Sequence, residues 1–217
     1  MMTRLFQFTI VFLGIWFVNT STLFAQKINN KNMHNELNLN DLIEISYSYY
    51  PKGWESYDEG YEQTKEILRL NEKKEDLKNG GEKNSIYPFL KKKFGKKNIE
   101  DMTLPHLFPC YHYRLVIQKN GKYRTYVINV STLAPVFFIY KAPLRSINEE
   151  NIFGFNNLDD EAQQSIEDIK KEIMNEFPHL HYFKAEWLSE KVSDISLGDY
   201  GLGEVFLYYS ILTDHIY

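Results

Sequence analysis

The chain has 217 residues, with 25 Lys and Arg against 29 Asp and Glu, 43% hydrophobic and 16% aromatic residues. That composition excludes collagenous, fibrous and broadly disordered classes, and it supports one core of ordinary size better than two cramped ones. The net charge of -4 argues against a general nucleic-acid binder, which needs a basic excess to displace counterions from phosphates.

Chain order begins with Arg4, an apolar run from Leu5 to Val18, and a polar stretch that reaches Ala25. Positive end, apolar middle and small residue follow the plan of a secretory signal, and the run is shorter than the roughly 20 residues of a membrane span. Residues 1–25 are therefore predicted to be a signal peptide cleaved near Ala25-Gln26, leaving a periplasmic or secreted protein without a stable membrane span. The Leu23-Phe24-Ala25-Gln26 end resembles the signal ends of exported bacterial proteins. Residues 26–40, rich in Asn and Lys, read as a flexible lead-in. Cys110, the single cysteine, has no partner within the chain for a disulfide.

Residues 41–217 read as a single domain. Asn40, with Asp41 in the first turn, suits the cap of a short helix that Pro51 ends. Ser56 and Glu59 have capping-box spacing, and Tyr57, Tyr61, Thr64 and Leu68 recur on one face of the helix they would open, with Gly80-Gly81 as its stop. Asn120-Gly121 between two apolar-rich runs predicts a two-residue hairpin. Counting back from it pairs Leu115 with Tyr126, Tyr113 with Ile128 and Tyr111 with Val130 on a core face. The other face, carrying Arg114, His112 and Asn129, is then partly polar and reads as the solvent or ligand side. Pro135 to Tyr140 adds a third strand. Leu158, Ala162, Ile166, Ile169, Ile173 and Phe177 keep helical period behind an acidic first turn, and Pro178 ends that helix. An extended segment follows around His179 to Trp187, and the run from Glu204 to Leu212 reads as a strand buried on both faces. The predicted fold is α+β, helices packed on a mainly antiparallel sheet with a central Asn-Gly hairpin.

No motif assigns a catalytic residue. In an extended segment His179 and His181 would face one side and offer two metal ligands, where zinc needs three or four. Cys110 and His112 would share a strand face, yet no nucleophile signature surrounds them, and Pro109 marks a strand entrance. The segment from Asp194 to Asp199 lacks the spacing of a calcium loop and reads as a turn, and Gly198, Gly201 and Gly203 match no phosphate-loop template. The lysines from Lys91 to Lys97 read as a solvated helix end. Between Tyr47 and Tyr61 the aromatics are dense enough to form a surface, because such rings bury large area at low entropic cost.

Trp54, Tyr57, Tyr61, His112 and Arg114 are thus the candidate binding residues, and His179 and His181 the candidate metal ligands. No cofactor and no nucleic acid is expected. The functional expectation is an exported, noncatalytic interaction protein, of inhibitor or immunity type, with a protein partner. A cell-envelope carbohydrate-binding module that takes a glycan is the alternative, with a hydrolase whose site is assembled from distant residues behind it.

Overall fold

The computed structural model describes residues 37–79, 85–142 and 158–212. The expected signal peptide, the lead-in as far as residue 36 and the Gly80-Gly81 stop lie outside the described residues. From Asn38 onward the chain clusters into one compact unit.

Among the described residues it holds five α-helices and five strands: α1 (Leu39–Tyr47), α2 (Lys65–Lys78), α3 (Ile86–Phe94), β1 (Ile99–Asp101), β2 (Cys110–Lys119), β3 (Lys122–Ser131), β4 (Val136–Lys141), α4 (Asp160–Glu176), β5 (His181–Tyr182) and α5 (Leu207–Ile211). The strands lie side by side in chain order. Neighbours are antiparallel except β4 and β5, which run parallel, so the fold is α+β with a mostly antiparallel sheet. Lys119 pairs with Lys122 across the turn, and Asn120 and Gly121 both take positive φ, 51° and 74°. From that turn the register carries Leu115 to Tyr126, Tyr113 to Ile128 and Tyr111 to Val130.

On this face Tyr113, Leu115, Tyr126, Ile128, Phe137 and Ile139 meet α3 through Ile86 and Leu90, and α4 through Ile166, Ile169, Ile173 and Phe177. Burying each such side chain is worth about 1.5–3 kcal/mol, enough to orient both helices without help from their polar sides. Helix α4 is also fixed at its start. Asp159 accepts from the Ala162 N–H at 2.8 Å as its cap, and Arg124 of β3 reaches both Asp159 at 3.1 Å and Glu161 at 2.5 Å. The Ala162 N–H, together with Arg124, holds the Asp159 carboxyl below its usual range.

The other face is covered as well, contrary to the solvent-facing role expected of it. Val127, Asn129, Ser131, Phe138 and Tyr140 are buried there. Tyr208 of α5 stacks edge-on to Phe138 at 5.6 Å, and the Ser131 hydroxyl donates to Ile211 O at 2.6 Å. Helix α5 is joined in turn to α1 by the buried Ser46 and Ser210 hydroxyls, 2.8 Å apart. Asn129 and Ser131 of this face bond groups of the second layer instead of water, while Arg114, on the same face, stays exposed.

Three local expectations are corrected. The cap of α1 is Asn38, which exchanges hydrogen bonds with Asp41 at 3.1 Å in both directions, so the helix begins inside the segment taken as lead-in. No helix starts at Ser56: its hydroxyl donates to Gly198 O at 2.7 Å, Gly60 turns the chain at φ 93°, and α2 begins only after its Thr64 cap. The run from Glu204 to Leu212 contains α5, not a strand, since a short apolar run buried all round has no period to distinguish the two.

Candidate functional site

After α1 ends at Tyr47 the chain passes Pro51 and crosses residues 52–60 mostly as turns before a single 3-10 turn, Tyr61–Gln63. This loop is fastened to a second one, residues 193–204, by bonds that span more than half of the sequence. The Gly53 N–H donates to Asp194 O at 2.7 Å, the Ser196 hydroxyl to Trp54 O at 3.0 Å, and the Tyr61 hydroxyl to Ser196 O at 3.1 Å. Further along, the Leu202 N–H donates to Glu55 Oε1 at 3.4 Å. Within the first loop, Asp58 Oδ2 accepts from the Glu55 N–H at 2.8 Å and closes a tight turn whose tip is Tyr57.

What the two loops present outward is apolar and aromatic at the centre. Tyr57 is 82% exposed, Leu202 40% and Trp54 38%. The charged residues of the two loops are Glu55, Asp58, Glu59, Asp194, Asp199 and Glu204, against Lys52 as the one cation. Lys52 is itself engaged, its ammonium lying 3.4 Å from the centre of the Tyr47 ring. Trp54 and Tyr57 thus stand on a backbone held from behind, in loops whose charged residues are mainly acidic. Large rigid rings in that setting bury area on contact with little further loss of entropy.

Of the residues singled out in the sequence, Trp54 and Tyr57 meet on this surface and the others do not. Tyr61 is 5% exposed; burial, opposed by its bond to Ser196, pushes its hydroxyl up to about 12. It anchors the loop from within. His112 is 3% exposed on the covered face of β2, so it is an interior residue and not a ligand-facing one. Burial lowers its pKa to about 4 against the opposing pull of the Asn129 hydrogen bond and the Asp101 charge, and the ring is neutral at neutral pH. Arg114 is exposed on β2 and pairs with Glu100 of β1.

His179 and His181 do not share a strand. His179 lies exposed in the turn after Pro178, its ring edge-on to Phe177, and the extended backbone begins only at His181, whose N–H donates to Pro135 O at 2.8 Å. Among the described residues no group of three or more His, Cys, Asp or Glu is placed to hold a metal ion. Cys110 is buried at the start of β2.

Leu202 is the member of the surface that the sequence reading passed over. Its signal was an apolar side chain set between two turn glycines, Gly201 and Gly203. Comparison of the chain with family models, with curated proteins and with solved structures finds no match. Among the described residues no helix is long and apolar enough to cross a membrane.

Proposed function

We propose that this chain is an exported, noncatalytic interaction protein that binds a basic protein partner through Trp54, Tyr57 and Leu202, in the manner of an inhibitor or immunity protein. The observation that carries the reading is Tyr57, 82% exposed at the tip of a loop that is fixed from behind. An exposed aromatic centre with a polar rim has the composition of a protein-binding patch. The carboxylates of the two loops favour cationic partners, speed encounter with them and repel acidic ones. The export half of the reading rests on Arg4, the apolar run to Val18 and the small Ala25.

The test is affinity capture with the full chain and with its Trp54→Ala/Tyr57→Ala variant, from envelope and culture fractions of the host. A stoichiometric basic protein retained by the native chain and lost by the variant supports the reading, and its own activity can then be assayed for inhibition. Retention of glycan alone would replace it with the carbohydrate-binding module, for which exposed rings also serve. Equal retention by both proteins would remove this surface from the account.

A further inference from the structure

Strand β1 covers only part of β2. Its residues pair with Tyr113, Arg114 and Leu115, the Val116 N–H donates to Asn98 O at 2.8 Å, and residues 95–98 then lie in a turn away from the sheet. Beyond that point β2 runs on to Lys119, paired with β3 alone. Backbone groups along an antiparallel strand point alternately to its two neighbours, so the outward pair at Val116 recurs at Gln118. Among the described residues no strand takes the Gln118 pair.

This open edge is one wall of a groove of 570 Å³. Phe94 at the end of α3, Ile117 and Ile169 of α4 give it an apolar lining, and Asp168 is its carboxylate, already accepting from Gln164 Nε2 at 2.9 Å. Its lysines outnumber its acids. Lys93 is held by Glu172 at 2.6 Å, whereas Lys119, which also lines the groove, and Lys92, Lys96, Lys97 and Lys122, which stand within three residues of lining positions in the chain, form no ion pair among the described residues.

We propose that this groove takes an extended acidic peptide segment of a second protein, laid as a short strand against Gln118 where β1 stops. The strand edge supplies main-chain hydrogen bonds, the apolar lining takes one hydrophobic side chain, and Lys96, Lys97 and Lys119 face the carboxylates. Charge complementarity selects an acidic occupant over a basic one, and the unfilled edge selects a peptide over a ligand with no backbone. The groove shares no residue with the Trp54 and Tyr57 surface, so it stands or falls independently of that reading.

The probe is a fluorescein-labelled Glu-Val-Glu-Val-Glu peptide titrated into the full chain by anisotropy. It is compared with Lys-Val-Lys-Val-Lys and with the acidic peptide N-methylated along its backbone. Saturable binding of the acidic peptide is expected, with each comparison peptide weaker by about tenfold or more and with slowed amide exchange at Gln118. A Lys96→Glu/Lys119→Glu variant should lose about tenfold in affinity at an unchanged melting temperature. Absence of saturation would leave the lysines as guards of an open strand edge and overturn the proposal. Equal binding of the methylated peptide would overturn it too, by reducing the contact to charge, as would self-association of the chain through this edge in place of peptide binding.

Discussion

Asn129 of β3 donates from Nδ2 to the hydroxyl of Tyr208 on α5 at 2.7 Å, and both side chains lie in the interior. That bond crosses from the sheet to the layer on its second face, which an apolar contact alone would position less specifically. Because α5 also carries α1 through Ser46 and Ser210, the polar pair fixes the layer from which the loop of Trp54 departs.

Removing either partner of this pair is expected to leave the other buried group unsatisfied. Tyr208→Phe should lower stability by about 1–3 kcal/mol, Asn129→Leu, which also takes the hydrogen bond from His112, by at least as much, and the double variant by less than the two losses summed. Urea unfolding of the native chain and the variants measures the coupling. Additive losses would mean that the bond contributes no specific interaction.

Neighbouring His112 should make stability depend on pH. Its folded pKa of about 4 lies below its ordinary 6.5, so between these values the unfolded chain binds the proton and the folded chain does not. The contribution is complete above pH 6.5 and is lost as pH falls toward 4, to a total of about 3 kcal/mol. The comparison is with His112→Gln, which keeps a polar side chain at this position and removes the titrating ring. Denaturant midpoints across pH 7.5 to 4.5 should fall more steeply for the native chain than for the variant, and parallel curves would remove His112 as the cause.

Gly60 should matter to the candidate surface more than its size suggests. Its φ of 93° is closed to side-chain-bearing residues, while a Cβ there would meet the Trp54 ring and Gln63 only at ordinary contact distance, 3.7 Å. Gly60→Ala is therefore expected to cost about 1–3 kcal/mol through backbone strain, not through a clash. Rearrangement of the loop should also shift Trp54 emission. A fully stable variant with native emission would show that this turn does not hold the surface.

How much of this was legible in the chain differs by element. Asn120-Gly121 fixed the pairing of β2 with β3 because a two-residue turn leaves no freedom of register, and the six apolar positions from Leu158 to Phe177 were spaced for one helix face. Ser56 and Glu59 misled because the hydroxyl bonds Gly198, a residue 142 positions away that local spacing cannot reveal. His112 and Asn129 read as solvent-facing because polarity was taken for exposure, whereas both are buried, Asn129 bonding Tyr208 of the second layer and His112 bonding Asn129. For the site, aromatic density pointed to Trp54 and Tyr57. Which rings turn outward was decided by the loop at residues 193–204, and with it came Leu202 and the burial of Tyr61.

The central claim is that Trp54 and Tyr57 form a protein-binding surface, and the most direct test is the affinity of the captured basic partner for single variants. Tyr57→Ala and Trp54→Ala should each weaken binding by about tenfold or more, the cost of an anchoring ring, while Met174→Ala, an exposed apolar residue on α4, should leave it unchanged. Thermal stability of Tyr57→Ala should match the native chain, since so exposed a ring contributes little to the fold. Native affinity in both ring variants would contradict the account.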